Sequence, residues 1–314
     1  MQTILLIGTG PMAIEYSKVL LAMNKKFIVV GRGSKSASLF EQKTGIIPEL
    51  GGLDLYLKEK KLNKNTLAII ATGTEILMSI IHQLLKSGVE KILVEKPAAI
   101  SIDELLDNET VLKPYNDSIF IAYNRRFYAS VIEAERLIME DGGLQSMHFE
   151  FTEWAHTIEP LQKAEGVKEN WFFANSTHVV DLAFYLAGKP INMKSFSKSG
   201  KLKWHSKTNF VGAGETNKGV LFSYISNWES AGRWGIELLT QNRRIYLKPM
   251  EDIHVQMKGS ISVIKHEVDL SLDDKFKAGL YLQVEEFISG LTNRLPSIKE
   301  HIENTKKIYS LIIK

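Results

Sequence analysis

"TILLIGTGPMA" (residues 3–13) is apolar from Ile4 to Ile7, turns through Gly8, Thr9 and Gly10, and then enters Pro11 and Met12. Ala13, Tyr16 and Leu20 follow at helical spacing, so the stretch reads as a buried strand, a tight turn and a helix. The turn matches GxGxxG with Ala13 in the third place. The first glycine permits the turn, the second lets a pyrophosphate approach the backbone, and the third position needs only a small residue for helix packing. Pro11 suits a first helical turn, whose unpaired amides face an anion. Gly8, Gly10, Pro11, Met12 and Ala13 are therefore candidate dinucleotide contacts.

Outward from this unit the pattern repeats. "FIVVG" (27–31), "LAIIAT" (67–72), "KILVE" (91–95) and "SIFIAY" (118–123) are short apolar runs, and a helix fits 75–86, ended by Gly88. Strands alternating with helices predict a Rossmann-type parallel α/β sheet over residues 1–122. After about residue 146 the period changes to two: Met147, Phe149 and Phe151 point one way, His148, Glu150 and Thr152 the other. Strands are expected over 219–228, 234–241, 244–248 and 259–268, with helices over 276–291 and 297–312. Residues 123–314 thus read as an α+β C-terminal domain with an open, mostly antiparallel sheet. The boundary rests on the change of period, since no flexible linker marks it.

The 314 residues carry a net charge of +3, with 44% hydrophobic and 24% charged residues. That composition fits a soluble globular protein and argues against a nucleic-acid or membrane partner. The absence of cysteine excludes disulfides and thiolate chemistry, and the eight histidines show no metal-binding spacing, so no metal is expected. The N-terminal residues lack a basic segment before a long apolar run, which makes a cytoplasmic location the default.

About 20 residues beyond the glycine turn an NAD enzyme presents an acid to the ribose. Here the sequence is "VVGRGSKSA" (29–37), with Arg32 followed by Ser34 and Lys35. These donors favour NADP over NAD. Thr72, Gly73 and Thr74 in "ATGTE" end another core strand and are candidates for the nicotinamide side. In "ILVEKPAAI" (92–100), Glu95, Lys96 and Pro97 leave a parallel strand at its carboxyl end, the edge where such sheets bind ligands. A lysine there can polarise a carbonyl or hold a hydroxyl.

His178 is the second catalytic candidate. Asn175 or Ser176 is positioned to cap a helix running to Leu186, with His178 in the first turn and Asp181 on the same face. A histidine exchanges protons near neutral pH. Trp154 and His156 in "FTEWAHTIEP" (151–160) offer an aromatic face and a polar ring for sugar recognition.

The combination of the N-terminal fingerprint, "EKP" (95–97), "YNRRF" (123–127) and "THVVD" (177–181) resembles the Gfo/Idh/MocA family of oxidoreductases over essentially the whole chain. The resemblance implies that Lys96 serves nicotinamide and substrate and that His178 is its functional partner. It also implies that the junction residues Tyr123, Asn124 and Arg126 contact cofactor or substrate, whereas Arg125 reads as a solvated charge. The implied reaction is reversible oxidation of a hydroxyl on a sugar, sugar derivative or cyclitol, and the implied assembly a homodimer or homotetramer. One departure is Ala174, where the family often has an aspartate; Asn175 offers hydrogen bonds but no base. That departure motivates one rival, a catalytically inactive dinucleotide-binding regulator or scaffold; a second rival, independent of it, is a reductase of a non-sugar carbonyl or imine.

Overall fold

The computed structural model describes residues 3–62 and 65–314. Two compact units emerge: Met1–Asn124 with Leu272–Ile302, and Arg125–Ser271 with Glu303–Lys314.

In the first unit β1 (Thr3–Ile7), β2 (Phe27–Val30), β3 (Thr66–Ile70), β4 (Lys91–Val94) and β5 (Ile119–Ile121) form a parallel sheet in the order β2-β1-β3-β4-β5. Both faces are covered, so β3 is buried at every position, as parallel strands between helices are. Helix α1 (Pro11–Ala22) follows β1, and α2 (Ser34–Thr44), α3 (Gly52–Glu59) and α4 (Leu77–Lys86) follow in turn. The chain leaves β1 toward β2 on one side and pairs with β3 on the other, which opens a crevice at the carboxyl ends of β1 and β3.

The segment 272–302 corrects the expected boundary, which assigned everything after residue 122 to the second domain. Helix Leu280–Ser289 buries Leu280, Val284 and Phe287; Phe287 meets Phe120 edge-on at 6.3 Å. The Pro296 carbonyl accepts from the Ile121 amide at 2.9 Å. A return of the chain to an earlier sheet leaves no trace in local periodicity.

The second unit contains eight strands: β6 (Ser146–Glu150), β7 (Pro190–Lys198), β8 (Asn209–Thr216), β9 (Leu221–Asn227), β10 (Gly235–Leu239), β11 (Arg243–Leu247), β12 (His254–Met257) and β13 (Val263–Lys265). Their order is β13-β12-β11-β10-β6-β9-β8-β7, antiparallel except for β6 with β9. One face places Phe149, Phe222 and Tyr224 in the core with the buried helix Thr177–Ala187. On the other, Phe196, Val211 and Ile225 sit in register across β7, β8 and β9 and are exposed.

Two differences from the sequence expectation have physical causes. The strand predicted over 259–268 shrinks to Val263–Lys265, because its alternating residues face no core: Ile261 and Ile264 are exposed. Strands β7 and β8 escaped notice because β7 is largely polar and β8 carries Gly212 and Gly214. Those glycines make room: a Cβ at Gly212 would strike the Tyr224 ring, and one at Gly214 the backbone carbonyl of Asn192.

Candidate active site

In the first unit the turn after β1 is built from backbone constraints. Gly8 has φ of 121°, a region that side chains avoid, and a Cβ there would run into the Ala71 carbonyl oxygen. Gly10 precedes α1 with no side-chain cap, and Pro11 occupies the first turn. Ala13 is fully buried, as close helix packing demands.

A cleft of about 530 Å³ is lined by Gly8, Gly10, Pro11, Met12, Arg32, Ser36, Thr72 and Gly73. A dinucleotide fits this turn on three observations. Nothing lies within 4 Å of where a Cβ on Gly10 would stand. The buried Thr72 hydroxyl has no hydrogen-bond partner among the described residues. The first-turn amides of α1 have no side-chain acceptor at their cap. Of the residues proposed for the adenosine phosphate, Arg32 lines the cleft, while Ser34 and Lys35 begin α2 and do not. Ser36 is present instead, accepting from the Thr9 hydroxyl at 2.9 Å. A neighbouring pocket brings Arg32 together with Gly51, Gly52 and Asp54, an acid that the local motif did not indicate. Thr74 opens the short 3₁₀ turn before α4.

The EKP turn is held from two directions. The Tyr16 hydroxyl donates to Glu95 at 2.9 Å and lies 3.3 Å from Gln283 Oε1. Burial pushes the Glu95 carboxyl above its ordinary value, an effect opposed by Lys96 and the Tyr16 hydrogen bond; burial likewise raises Tyr16. The Lys96–Pro97 bond is cis. The buried His301 donates Nε2–H to the Pro97 carbonyl at 2.9 Å, which fixes the protonated nitrogen because a carbonyl only accepts. Lys96 itself is half-buried. Tyr123 is buried with its ring 5.7 Å from His301, and the Asn124 amide donates to the Ala278 carbonyl at 2.9 Å.

In the second unit His178 is buried, its ring 6.2 Å from that of Trp234. The expected helix cap is not found. A π-helical stretch, Phe172–Ser176, runs straight into Thr177–Ala187, so His178 lies within a continuous helical run. Asn175 and Ser176 are drawn away from capping by a carboxylate: Ser176 Oγ donates to Glu153 at 2.7 Å and Asn175 Nδ2 at 3.1 Å.

Glu153 was missed at the sequence level although it continues the buried register of Met147, Phe149 and Phe151. Its side chain is 1% exposed, with Arg233 Nη1 3.5 Å away. Desolvation raises its pKa, and Ser176 and Arg233 offset part of the rise. A buried carboxylate thus reaches Asn175 and Ser176, the two residues that follow Ala174.

Because β6 and β10 are antiparallel neighbours with Glu150 opposite Gly235, the exit of β6 lies beside the entrance of β10. Arg233 packs on Trp154 at 4.6 Å and on Trp234 at 4.7 Å, and Trp154 Nε1 donates to the Gly232 carbonyl at 2.8 Å. His156 is exposed, 6.5 Å from Trp154. Arg125, expected to be a solvated charge, is instead half-buried with its guanidinium 4.6 Å from the Trp234 ring. Asp181 and Arg126 are bound to each other, at 2.6 and 2.8 Å, and both are buried.

Among the described residues no group of three or more His, Asp or Glu side chains is arranged to hold a metal ion, and no helix is long and apolar enough to cross a membrane.

No protein-family model matches the chain, and no curated protein does. Solved structures do. Levoglucosan dehydrogenase in complex with NADH and L-sorbose is 16% identical with a TM-score of 0.74, covering 99% of this chain and 97% of that one. An oxidoreductase from Agrobacterium radiobacter, in complex with NAD+, L-tartaric acid and magnesium, is 14% identical at TM-score 0.74, covering 99% and 96%. UDP-N-acetylglucosamine 3-dehydrogenase from Acidithiobacillus ferrooxidans is 12% identical at TM-score 0.71, covering 99% and 97%. The chain therefore shares the two-sheet fold of these oxidoreductases along its whole length.

Proposed function

We propose that the chain is an NADP-preferring oxidoreductase that interconverts a hydroxyl and a ketone on a sugar, sugar derivative or cyclitol, and that it works as a homodimer or homotetramer. The observation that carries the reading is the turn from Gly8 to Ala13, whose open face at Gly10 lies at an uncapped helix N-terminus. The names of the sugar dehydrogenases with this fold support the substrate class, and two structures of this fold carry NAD+ or NADH.

When bound, the dinucleotide supplies or accepts the hydride. The Gly10 backbone and the α1 amides bind its pyrophosphate, and Arg32 pairs with the adenosine phosphate. Lys96 holds the substrate oxygen and His178 exchanges the hydroxyl proton. Trp154 offers its half-exposed indole to the apolar face of the sugar.

The test is a titration with NADPH and then NADH, following energy transfer from the five tryptophans to the reduced nicotinamide. Tighter binding of NADPH, lost in Arg32→Ala, is expected. Binding of neither overturns the reading; a preference for NADH removes Arg32 from it. Tight binding with no turnover of any sugar, sugar nucleotide or cyclitol supports the inactive regulator, to which Ala174 points, or a reductase of another carbonyl or imine.

A further inference from the structure

The cluster around Trp234 holds more hydrogen-bond donors than acceptors. Arg125 and Arg233 both stack on this one indole, at 4.6 and 4.7 Å. Arg125 Nε and Trp234 Nε1 are buried with no hydrogen-bond partner among the described residues. The carboxylate in contact is Glu153, and it already accepts from Ser176 and Asn175 besides lying 3.5 Å from Arg233. Arg125 makes no ion pair within 4 Å among the described residues; Glu251 and Glu153 act on it only at longer range, and Arg233 opposes its charge.

Stacking on an indole stabilises a guanidinium less than removal from water costs it. Two adjacent cations, one half-buried, therefore fit a ligand that brings negative charge and several acceptor oxygens. A neutral sugar hydroxyl accepts a hydrogen bond but leaves the charge uncompensated, whereas a carboxylate or phosphate meets the planar donor fork of arginine. The ring of His178 lies 6.2 Å from that of Trp234, so a ligand held here sits next to the proposed proton-exchanging group.

We infer that Arg125, Arg233 and Trp234 form an anion subsite beside His178, and that the substrate is a sugar derivative carrying a carboxylate or phosphate. That this ligand is a substrate rests on the oxidoreductase reading; that the subsite binds anions does not.

The experiment titrates glucuronate, glucose 1-phosphate and glucose into the full chain, read by tryptophan fluorescence without dinucleotide. At least one anionic sugar binds about tenfold or more tightly than glucose, and Arg125→Gln and Arg233→Gln each abolish that advantage while NADPH affinity stays within about twofold. The tighter of the two anions tells carboxylate from phosphate. The dinucleotide cleft also attracts phosphate, but its Arg32 is intact in both variants, so binding there survives them. Equal binding of all three sugars overturns the inference, as does an anion preference that persists in both variants. Arg233 has 43% of its side chain exposed, so its variant keeps the test valid if Arg125→Gln fails to fold. A chain that discriminates the anions but binds no NADPH keeps the subsite and refutes the oxidoreductase reading; turnover of neutral cyclitols with no anion preference does the reverse.

Discussion

The hydroxyl of Tyr16 donates to the carboxylate of Glu95 at 2.9 Å, so the helix that follows the glycine turn is bonded to the residue preceding Lys96. This side-chain bond adds to the sheet pairing through β3 that already holds the two motifs, nearly eighty residues apart, in one unit.

Tyr16→Phe removes this bond and the contact with Gln283. Leaving a buried carboxylate without its donor costs about 1–3 kcal/mol. The Glu95 pKa is raised in the fold, so its stability contribution is complete below its ordinary value of 4.5 and is lost as pH rises through the raised value. The tyrosine bond opposes that rise. The gap between wild type and variant, measured by urea unfolding, should therefore widen from acid to neutral pH; a gap independent of pH would remove Glu95 ionisation from the account.

Gly10→Ala separates folding from binding. Its φ of −80° suits any residue, and an added Cβ meets nothing within 4 Å, so Tm should hold. The same methyl occupies the path of the pyrophosphate, and NADPH affinity should fall at least about tenfold. Undiminished affinity would remove the turn from the cofactor site. Gly8→Ala should instead lower Tm, since Gly8 has φ of 121° and its Cβ would meet Ala71.

Asp181→Asn leaves Arg126 buried without its counter-charge. The expected loss is about 3–5 kcal/mol by chemical denaturation, and a double replacement of both partners by apolar residues should recover much of it. A loss below about 1 kcal/mol would mean that water or another group neutralises Arg126.

Glu153 has a raised pKa, so the stability it contributes is present below its ordinary value of 4.5 and is lost as pH rises through the raised value. Glu153→Gln cannot ionise. The Tm of the variant minus that of wild type should grow between about pH 4 and pH 8. A difference that shrinks over that interval would show that the local donors stabilise the carboxylate more than burial destabilises it.

Phe196 is 68% exposed on the open sheet face, level with Val211 and Ile225. If a second copy covers this face, light scattering gives a multiple of 35.5 kDa for the wild type and the single-chain mass for Phe196→Glu. A monomeric wild type refutes the proposed oligomer.

The parallel sheet was legible because each strand is a short, mostly apolar run, and β1 and β2 end at Gly8 and Gly31. Its carboxyl-end positions, Gly8, Thr72 and Lys96, could therefore be named from spacing. The second sheet was read where alternation meets a core, at β6, β9, β10 and β11. It was missed at β12, a run of four residues, and at β7 and β8, where β7 is largely polar and the glycines of β8 make room for Tyr224 and for the Asn192 backbone.

The sequence by itself determined the period of each sheet, the glycine turn, and the position of His178 on a helix, since these depend on residues close along the chain. Only the tertiary structure decided the partners: Gln283 and His301 behind the EKP turn, Glu153 beneath Asn175 and Ser176, and Arg125 and Arg233 on Trp234. Each joins residues distant in sequence, and burial changes their chemistry. A glutamate or arginine that reads as a solvated charge becomes, once water is excluded, a group that must be hydrogen-bonded, paired or neutralised.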